Sequence, residues 1–303
     1  MKGIFVIISE AISQYLRYID EARGFAGGTI KQRRIYLSRF LGEFEGRQVE
    51  TISNRDVDNY HIAMLKVRNK LGNTPSVGTV NTSIRAVKVF LKWCIEYQRL
   101  EMDIRPTEIR LRKQPEKHPE IILFSQVSRV VEQCENTQDR LMIAVMFEAG
   151  LRIAELVNMR VEHLAENKLS VVGKGDRHRI TFISDELSRE LLDWCNKNGW
   201  DNGPVFRPLK LGVDGLGYRN IDTVRERIKK VFKDTIGLEM HPHQLRHAFA
   251  LNLLENGCGL RSIQKLLGHA KIETTMIYLG ITDKFLEKEY VENFGGTVLT
   301  FNH

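Results

Sequence analysis

Residues 241–257 read HPHQLRHAFALNLLENG, and in this stretch an arginine lies between two histidines at the start of a helical pattern. His243 and His247 are four positions apart, so a helix would place both imidazoles on one face, with Arg246 beside them. Three interpretations are open: a metal site, a site for an anion such as phosphate, or a polar helix start. The apolar run that follows predicts a buried anchor that holds Arg246 in place.

Length and composition set limits on the rest of the chain. With 303 residues, of which 42% are hydrophobic and 27% charged, the chain is typical of a globular protein with room for two domains. Its apolar runs are shorter than a membrane span, and its start is a poor signal peptide, so we expect a cytoplasmic protein without membrane contact. Lysine and arginine total 45 against 38 acidic residues, a net charge of +7. This balance favours a polyanionic partner such as nucleic acid.

The sequence favours neither a structural metal nor a disulfide framework. His243 and His247 have a spacing that can bind zinc, but Arg246 would add a fixed positive charge there, which favours an anion over a cation. There is no Walker loop and no carboxylate cluster of metal-site spacing. We therefore expect no metal and no other cofactor. The four cysteines are widely spaced and form no CxxC pair: Cys94, Cys134, Cys195 and Cys258.

The first third of the chain has the apolar periodicity of amphipathic helices. Four such helices with short connections predict a compact helical domain over residues 1–103. The second helix is predicted to begin after Gly27-Gly28, with Thr29 as its N-cap, and the third to be capped by Ser53 or Asn54.

Basic side chains lie on the non-core faces of the second and fourth predicted helices. Such a face is usually only solvated, but two of them in one small domain favour a surface that contacts DNA. Residues 104–119 are rich in proline and basic residues, which is typical of an interdomain linker. The candidate DNA-contacting residues are Lys31, Arg33, Arg34, Arg85, Lys88, Lys92, Arg110, Arg112 and Lys113.

The remaining residues, 120–303, have a mixed pattern. Two stretches, 168–172 and 178–183, alternate polar and apolar residues and predict a β-hairpin with Lys174 near its turn. Helices are predicted near 125–134, 137–149, 185–198, 220–235, 243–256, 259–267 and 282–293.

Five short motifs in this second part occur together. They are GLRIAEL (150–156), GKG (173–175), HQLRH (243–247), LLGH (266–269) and ETTMIY (273–278). In order and spacing they resemble the motifs of tyrosine recombinases, the phage-integrase and Xer class. The resemblance implies a mainly α fold: an N-terminal four-helix, SAM-like core-binding domain, then a mixed, mostly α catalytic domain with a small antiparallel β-sheet.

The resemblance also implies a site-specific DNA recombinase that cuts strands through a covalent 3′-phosphotyrosine, without metal or ATP. Tyr278 would be the nucleophile, and Arg152 and Arg246 would hold phosphate oxygens. The other implied groups are His269 as a hydrogen-bond donor, Lys174 as general acid and His243 as proton acceptor. Arg177, Arg179 or Lys210 could take the place of Lys174.

Each of these residues also has an ordinary structural interpretation. Arg152 could be a helix partner of Glu155, and Tyr278 could be a core residue. The implied partners are double-stranded DNA with a specific site and three further copies of the chain, in a tetramer built by exchange of the helix near 282–294. Rival functions are a type IB topoisomerase-like enzyme, a non-catalytic DNA-binding protein and a metal-dependent phosphodiesterase.

Overall fold

The computed structural model describes residues 5–25, 27–68, 72–114, 121–173, 178–207 and 220–269. The chain divides into two compact units, Met1–Lys117 and His118–His303. Among the described residues, no helix is long and apolar enough to cross a membrane.

The first unit contains the four predicted helices. Their shared core includes the large side chains of Tyr15, Leu37, Phe40 and Phe90, each 2% exposed or less. Tyr15 meets Phe90 edge to face, with ring centroids 5.6 Å apart. The helices are α1 (Ile8–Arg17, continued by a π-helical turn, Tyr18–Ala22), α2 (Gly27–Glu43), α3 (Asn54–Lys66) and α4 (Val77–Glu96).

Two helix starts test the predicted caps. Ser53 caps α3: its Oγ accepts from the Asp56 amide at 3.3 Å, and the Asp56 carboxylate accepts from the Ser53 amide at 2.9 Å. The predicted start of α2 after Thr29 is wrong, because this helix begins at Gly27. First-turn amides have no partner within a helix, so glycine is tolerated at that position.

The segment predicted as a linker (104–119) begins as an ordered strap against α4. Ile104 and Ile109 are buried in the core of the first unit. The Asn81 side chain donates to the Arg112 carbonyl at 2.8 Å and accepts from the Arg112 amide at 3.1 Å. Lys88 Nζ donates to the Ile109 carbonyl at 2.8 Å. Residues up to Arg112 are therefore held by the helical unit.

The second unit is built around one central helix. This helix, α6, buries Leu141, Ile143 and Val145 completely, as expected for a helix surrounded by others. The helices predicted in this part are present wherever residues are described, and the one near 282–293 lies outside them. The observed helices are α5 (Phe124–Gln133), α6 (Thr137–Glu148), α7 (Ile153–Val157), α8 (Asp185–Lys197), α9 (Ile221–Ile236), α10 (His243–Glu255) and α11 (Leu260–Leu267).

A small antiparallel sheet completes the second unit. Its strands, in the order β1-β2-β3, are Leu164–Ala165, Lys168–Val172 and His178–Phe182. Val171 pairs with Arg179 in the β2–β3 register. The predicted hairpin is confirmed, and the two-residue β1 was not predicted. The mainly α class with a small antiparallel sheet is confirmed as well.

Candidate active site

The turn between α6 and α7 packs tightly against α10. Gly150 has φ +59°, and a Cβ there would lie 2.5 Å from Cδ1 of Phe249 on α10. Both the left-handed backbone and the close contact require glycine. This glycine is the first residue of the GLRIAEL motif, and two residues later Arg152 occupies the N-cap position of α7. The turn therefore holds Arg152 against the helix that carries Arg246.

Arg246 is completely buried, with 0% of its surface exposed. Its Nη1 donates to the Gly150 carbonyl at 2.7 Å, and its Nη2 donates to the Leu267 carbonyl. Leu245 and Leu251 bury the apolar side of α10, which supplies the predicted anchor. Since the guanidinium has no exposed surface, a phosphate can reach it only if the residues that cover it move.

Glu155 is the centre of the site and was missed as a functional residue at the sequence level. Its carboxylate accepts from the Arg152 amide at 2.8 Å and from Arg152 Nη1 at 2.9 Å. It also accepts two hydrogen bonds from Arg179, both 2.8 Å long. Arg246 Nη1 lies 3.8 Å from the same carboxylate. One buried acid thus holds three arginines around it.

The carboxyl group of Glu155 stays ionised in this buried position. Burial alone would raise the pKa of the carboxyl group, but hydrogen bonds from Arg179 and Arg152 outweigh it and hold the pKa at about 2. The carboxylate is therefore ionised at neutral pH and offsets part of the positive charge of the guanidinium groups.

Three histidines lie near these arginines. The rings of His243 and His247 meet edge to face, with centroids 4.6 Å apart. His269 follows Gly268, which ends α11 in the left-handed conformation at φ +65°. Burial, and then the charges of Arg246 and Arg152, lower the pKa of His243 and bring that of His269 to about 4. Neutral imidazoles can each donate one hydrogen bond and accept another.

These pKa values predict that stability falls as pH is lowered from 6.5 towards 4. Burial, helped by His243 and Arg246, brings the pKa of His247 to about 4 as well, against 6.5 for an unperturbed histidine. Between these values the unfolded chain binds protons that His247 and His269 of the folded chain do not, so the free energy of unfolding rises with pH. Urea unfolding at pH 4.5, 5.5 and 6.5 measures this slope.

A His269→Asn variant is the control for this slope. It removes one of the two groups, so the dependence of unfolding free energy on pH between 4 and 6.5 should become shallower. An unchanged slope in this variant would contradict the assignment.

The predicted catalytic residues divide into two groups. Arg152 and Arg246 lie around Glu155, and the charges of both arginines act on His243 and His269. The other predicted residues, Lys174 and Tyr278, lie outside the described residues, as do the alternatives Arg177 and Lys210.

Arg179 is one of the predicted alternatives to Lys174 as general acid, and it lies among the described residues. Its guanidinium is bound to Glu155 and to the Leu266 carbonyl. All three guanidinium nitrogens therefore donate to acceptors of the protein, an arrangement that does not favour Arg179 as the general acid.

The predicted DNA-contacting residues are mostly accessible in the first unit. Arg33 and Lys88 are half-buried, and the Lys88 ammonium group is bound to the Ile109 carbonyl. Lys92 lies 3.5 Å from Glu96 on the same helix. Contact with DNA stays a prediction for all nine residues. The exposed ones are Lys31, Arg34, Arg85, Lys92, Arg110, Arg112 and Lys113.

The histidine pair lacks further metal ligands in the described part of the chain. There, no group of three or more histidine, cysteine, aspartate or glutamate side chains could hold a metal ion. Arg246, one turn of helix from His243, makes the pair electropositive. The pair is therefore suited to an anion.

Comparisons with known proteins identify a family and several relatives of this chain. Residues 120–284 match the model of the phage integrase family. The tyrosine recombinase XerA of Pyrococcus horikoshii is 31% identical over 288 residues, which cover 93% of each chain. The tyrosine recombinase XerD of Lacticaseibacillus casei is 29% identical and covers 92% of this chain and 96% of its own.

Solved structures with this fold include DNA complexes. A crystal structure of XerA recombinase has a TM-score of 0.52 at 27% identity, covering 96% of this chain and all of that one. A lambda integrase tetramer bound to a Holliday junction has a TM-score of 0.70 at 14% identity, covering 88% of this chain and 78% of that one, and shares the fold.

The fold, the clustered arginines and the relatives together define a DNA strand-exchange enzyme. The chain belongs to the phage integrase family, and the two relatives compared above, XerA and XerD, are tyrosine recombinases.

Proposed function

We propose that this chain recombines DNA at a specific site by cutting each strand with Tyr278 and holding it as a 3′-phosphotyrosine. The observation that carries the proposal is the pair of arginines on one carboxylate, Arg152 and Arg246 on Glu155, with neutral histidines alongside. Such a group can bind a phosphodiester and stabilise the negative charge that develops as the bond to phosphorus changes.

The proposed roles of the described residues follow from their contacts. The side chain of Arg152 is 41% exposed, so it can meet a phosphate oxygen directly. Arg246 joins it once the residues that cover its guanidinium move. His269, neutral at pH 7, donates a hydrogen bond to the phosphate, and His243 accepts the proton of Tyr278 or positions the phosphate.

The remaining groups complete the chemistry. A phenolic oxygen attacks phosphorus, and the leaving 5′ oxygen needs a proton. Lys174 gives that proton. Because the phosphotyrosine keeps the energy of the broken bond, a second 5′ hydroxyl can displace Tyr278 and join a new strand.

The assembly is proposed to be four copies of the chain on two DNA duplexes. The shared fold with a lambda integrase that forms a tetramer on a Holliday junction supports it. We assign residues 1–103 to DNA binding, 104–119 to the linker and 120–303 to catalysis, with the segment near 282–294 joining neighbouring copies. We expect recombination to take place in the cytoplasm, at the nucleoid.

The test is to trap the covalent intermediate. The protein is incubated, with EDTA, with nicked duplexes prepared from DNA of the organism that encodes it. A nick beside the cut site lets the short 5′ product diffuse away, so the adduct accumulates. We expect a protein–DNA adduct whose tryptic peptide carries the nucleotide on Tyr278. No adduct with any fragment, or an adduct on another residue, contradicts the proposal.

A further inference from the structure

Arg179, on β3, is a buried arginine whose three guanidinium nitrogens all donate hydrogen bonds. Only 9% of its side chain is exposed. Nη1 and Nη2 donate to the two carboxylate oxygens of Glu155, and Nε donates to the Leu266 carbonyl, each at 2.8 Å. Since so little of the side chain is exposed and each nitrogen already donates to the protein, Arg179 is poorly placed to bind a phosphate directly. Whatever Arg179 contributes to catalysis must pass through the groups that it holds.

The first of these groups is Glu155. On its other side this carboxylate accepts from the amide and from Nη1 of Arg152. A carboxylate has about four lone-pair sites, so the two arginines together saturate it. The Arg179 fork fixes the plane of the carboxylate, and that plane fixes where Arg152 Nη1 lies.

The second group is the C-terminal end of α11. Arg179 donates a hydrogen bond to the Leu266 carbonyl, and Arg246 donates one to the next carbonyl, that of Leu267. The residue that follows is Gly268, where a Cβ would lie 2.9 Å from Arg179 Cδ. The glycine before His269 thus leaves room for the Arg179 side chain to reach the helix end. By binding the Leu266 carbonyl, Arg179 holds the helix end that includes the Leu267 carbonyl, one of the two anchors of Arg246, and the turn that leads to His269.

We propose that Arg179 is a positioning residue for strand cleavage, which holds Arg152 through Glu155 and holds Arg246 and His269 through the end of α11. This inference rests on the proposed function. Lysine can replace Arg179 only in part, because an ammonium group is a point donor without a planar fork.

The test compares Arg179→Met and Arg179→Lys with a matched control, Arg140→Met. Arg140 on α6 pairs with Glu190 on α8, so the control breaks an arginine–glutamate contact that includes none of the candidate site residues. Single-turnover cleavage of the nicked duplex is measured at saturating protein, and the Kd for DNA by fluorescence anisotropy. Unfolding curves show which variants are folded.

We expect Arg179→Met to cleave on the order of 100-fold more slowly and Arg179→Lys about tenfold more slowly, since small displacements of catalytic groups have effects of this size. The Kd should change by less than about threefold, because most affinity comes from many other phosphate contacts. Arg140→Met should cleave like the wild type.

A double variant separates positioning from general structural support. If Arg179 acts largely through Glu155, Arg179→Met should slow cleavage much less in a Glu155→Gln protein than in the wild type. Additive losses would show that Arg179 does not act through Glu155, and they overturn the part of the inference that places Arg152.

The remaining outcomes are also decisive. A folded Arg179→Met or Arg179→Lys protein that cleaves at the wild-type rate overturns this inference alone. If neither variant folds, Arg179 is a residue of stability and the inference is again overturned. If the wild type forms no adduct, the proposed function fails and the inference fails with it.

Discussion

Arg246→Ala is expected to slow formation of the covalent adduct about 1,000-fold, which is the scale for removing one donor that stabilises transition-state charge. Arg246 has no exposed surface, and the Gly150 and Leu267 carbonyls hold two of its nitrogens. Arg246→Lys should be nearly as slow, since lysine keeps the charge but cannot span both carbonyls. The measurement is single-turnover cleavage of a nicked duplex at saturating protein.

Stability has to be measured on the same variants, because Arg246 is also part of the core. Without its guanidinium the two carbonyls lose their donor, and an unpaired buried polar group costs about 1–3 kcal/mol. The cleavage rates are therefore compared at a temperature below the thermal unfolding midpoint of each variant. Arg261→Ala, which removes an exposed arginine of the neighbouring helix α11, should keep the wild-type rate. A folded Arg246→Ala protein that cleaves within tenfold of the wild type would show that Arg246 is only a structural anchor.

The parts of the fold with local periodicity could be predicted from the sequence. The apolar stripe of α4, the Ser53 cap of α3 and the alternation that marks β2 and β3 each depend on residues a few positions apart. Such patterns report which face of an element is buried. They do not report which element covers that face.

The predicted linker shows where this limit falls. Its prolines and charges are typical of a linker, but Ile104 and Ile109 are buried and Asn81 binds both backbone groups of Arg112. Asn81 lies 31 residues from Arg112 in sequence, so no local pattern could have shown the bond.

The residues of the site also divide into those that the sequence could predict and those that it could not. Arg152, His243, Arg246 and His269 could be named because their motifs match a family. The role of Arg179 could not be predicted, since its partner Glu155 lies 24 residues away and an arginine in a strand is ordinary. Glu155 itself has the i, i+3 spacing of a helix-start partner of Arg152, and this local explanation hid its contact with two further arginines.

Glu155→Gln is expected to cause the largest loss of stability, about 3–5 kcal/mol in free energy of unfolding at pH 7. The variant leaves Arg179 and Arg246 buried without their carboxylate, and a buried ion pair that loses one partner has a cost of this size. An amide also has a single acceptor oxygen, so it cannot accept the Arg179 fork. Urea unfolding compares it with Glu190→Gln, whose side chain is 40% exposed in its pair with Arg140. That exposed pair should contribute about 0–1 kcal/mol.

The pH dependence gives this prediction a second, independent measurement. The pKa of Glu155 is about 2 in the folded protein against 4.5 for an ordinary glutamate, because hydrogen bonds from Arg179 and Arg152 outweigh the effect of burial. The stabilisation by its charge is therefore complete above pH 4.5 and is lost as pH falls towards 2. The difference in unfolding free energy between wild type and Glu155→Gln should be smaller at pH 4 than at pH 7. A difference below 1 kcal/mol at pH 7, or one that does not narrow at pH 4, would mean that the three arginines do not depend on this carboxylate.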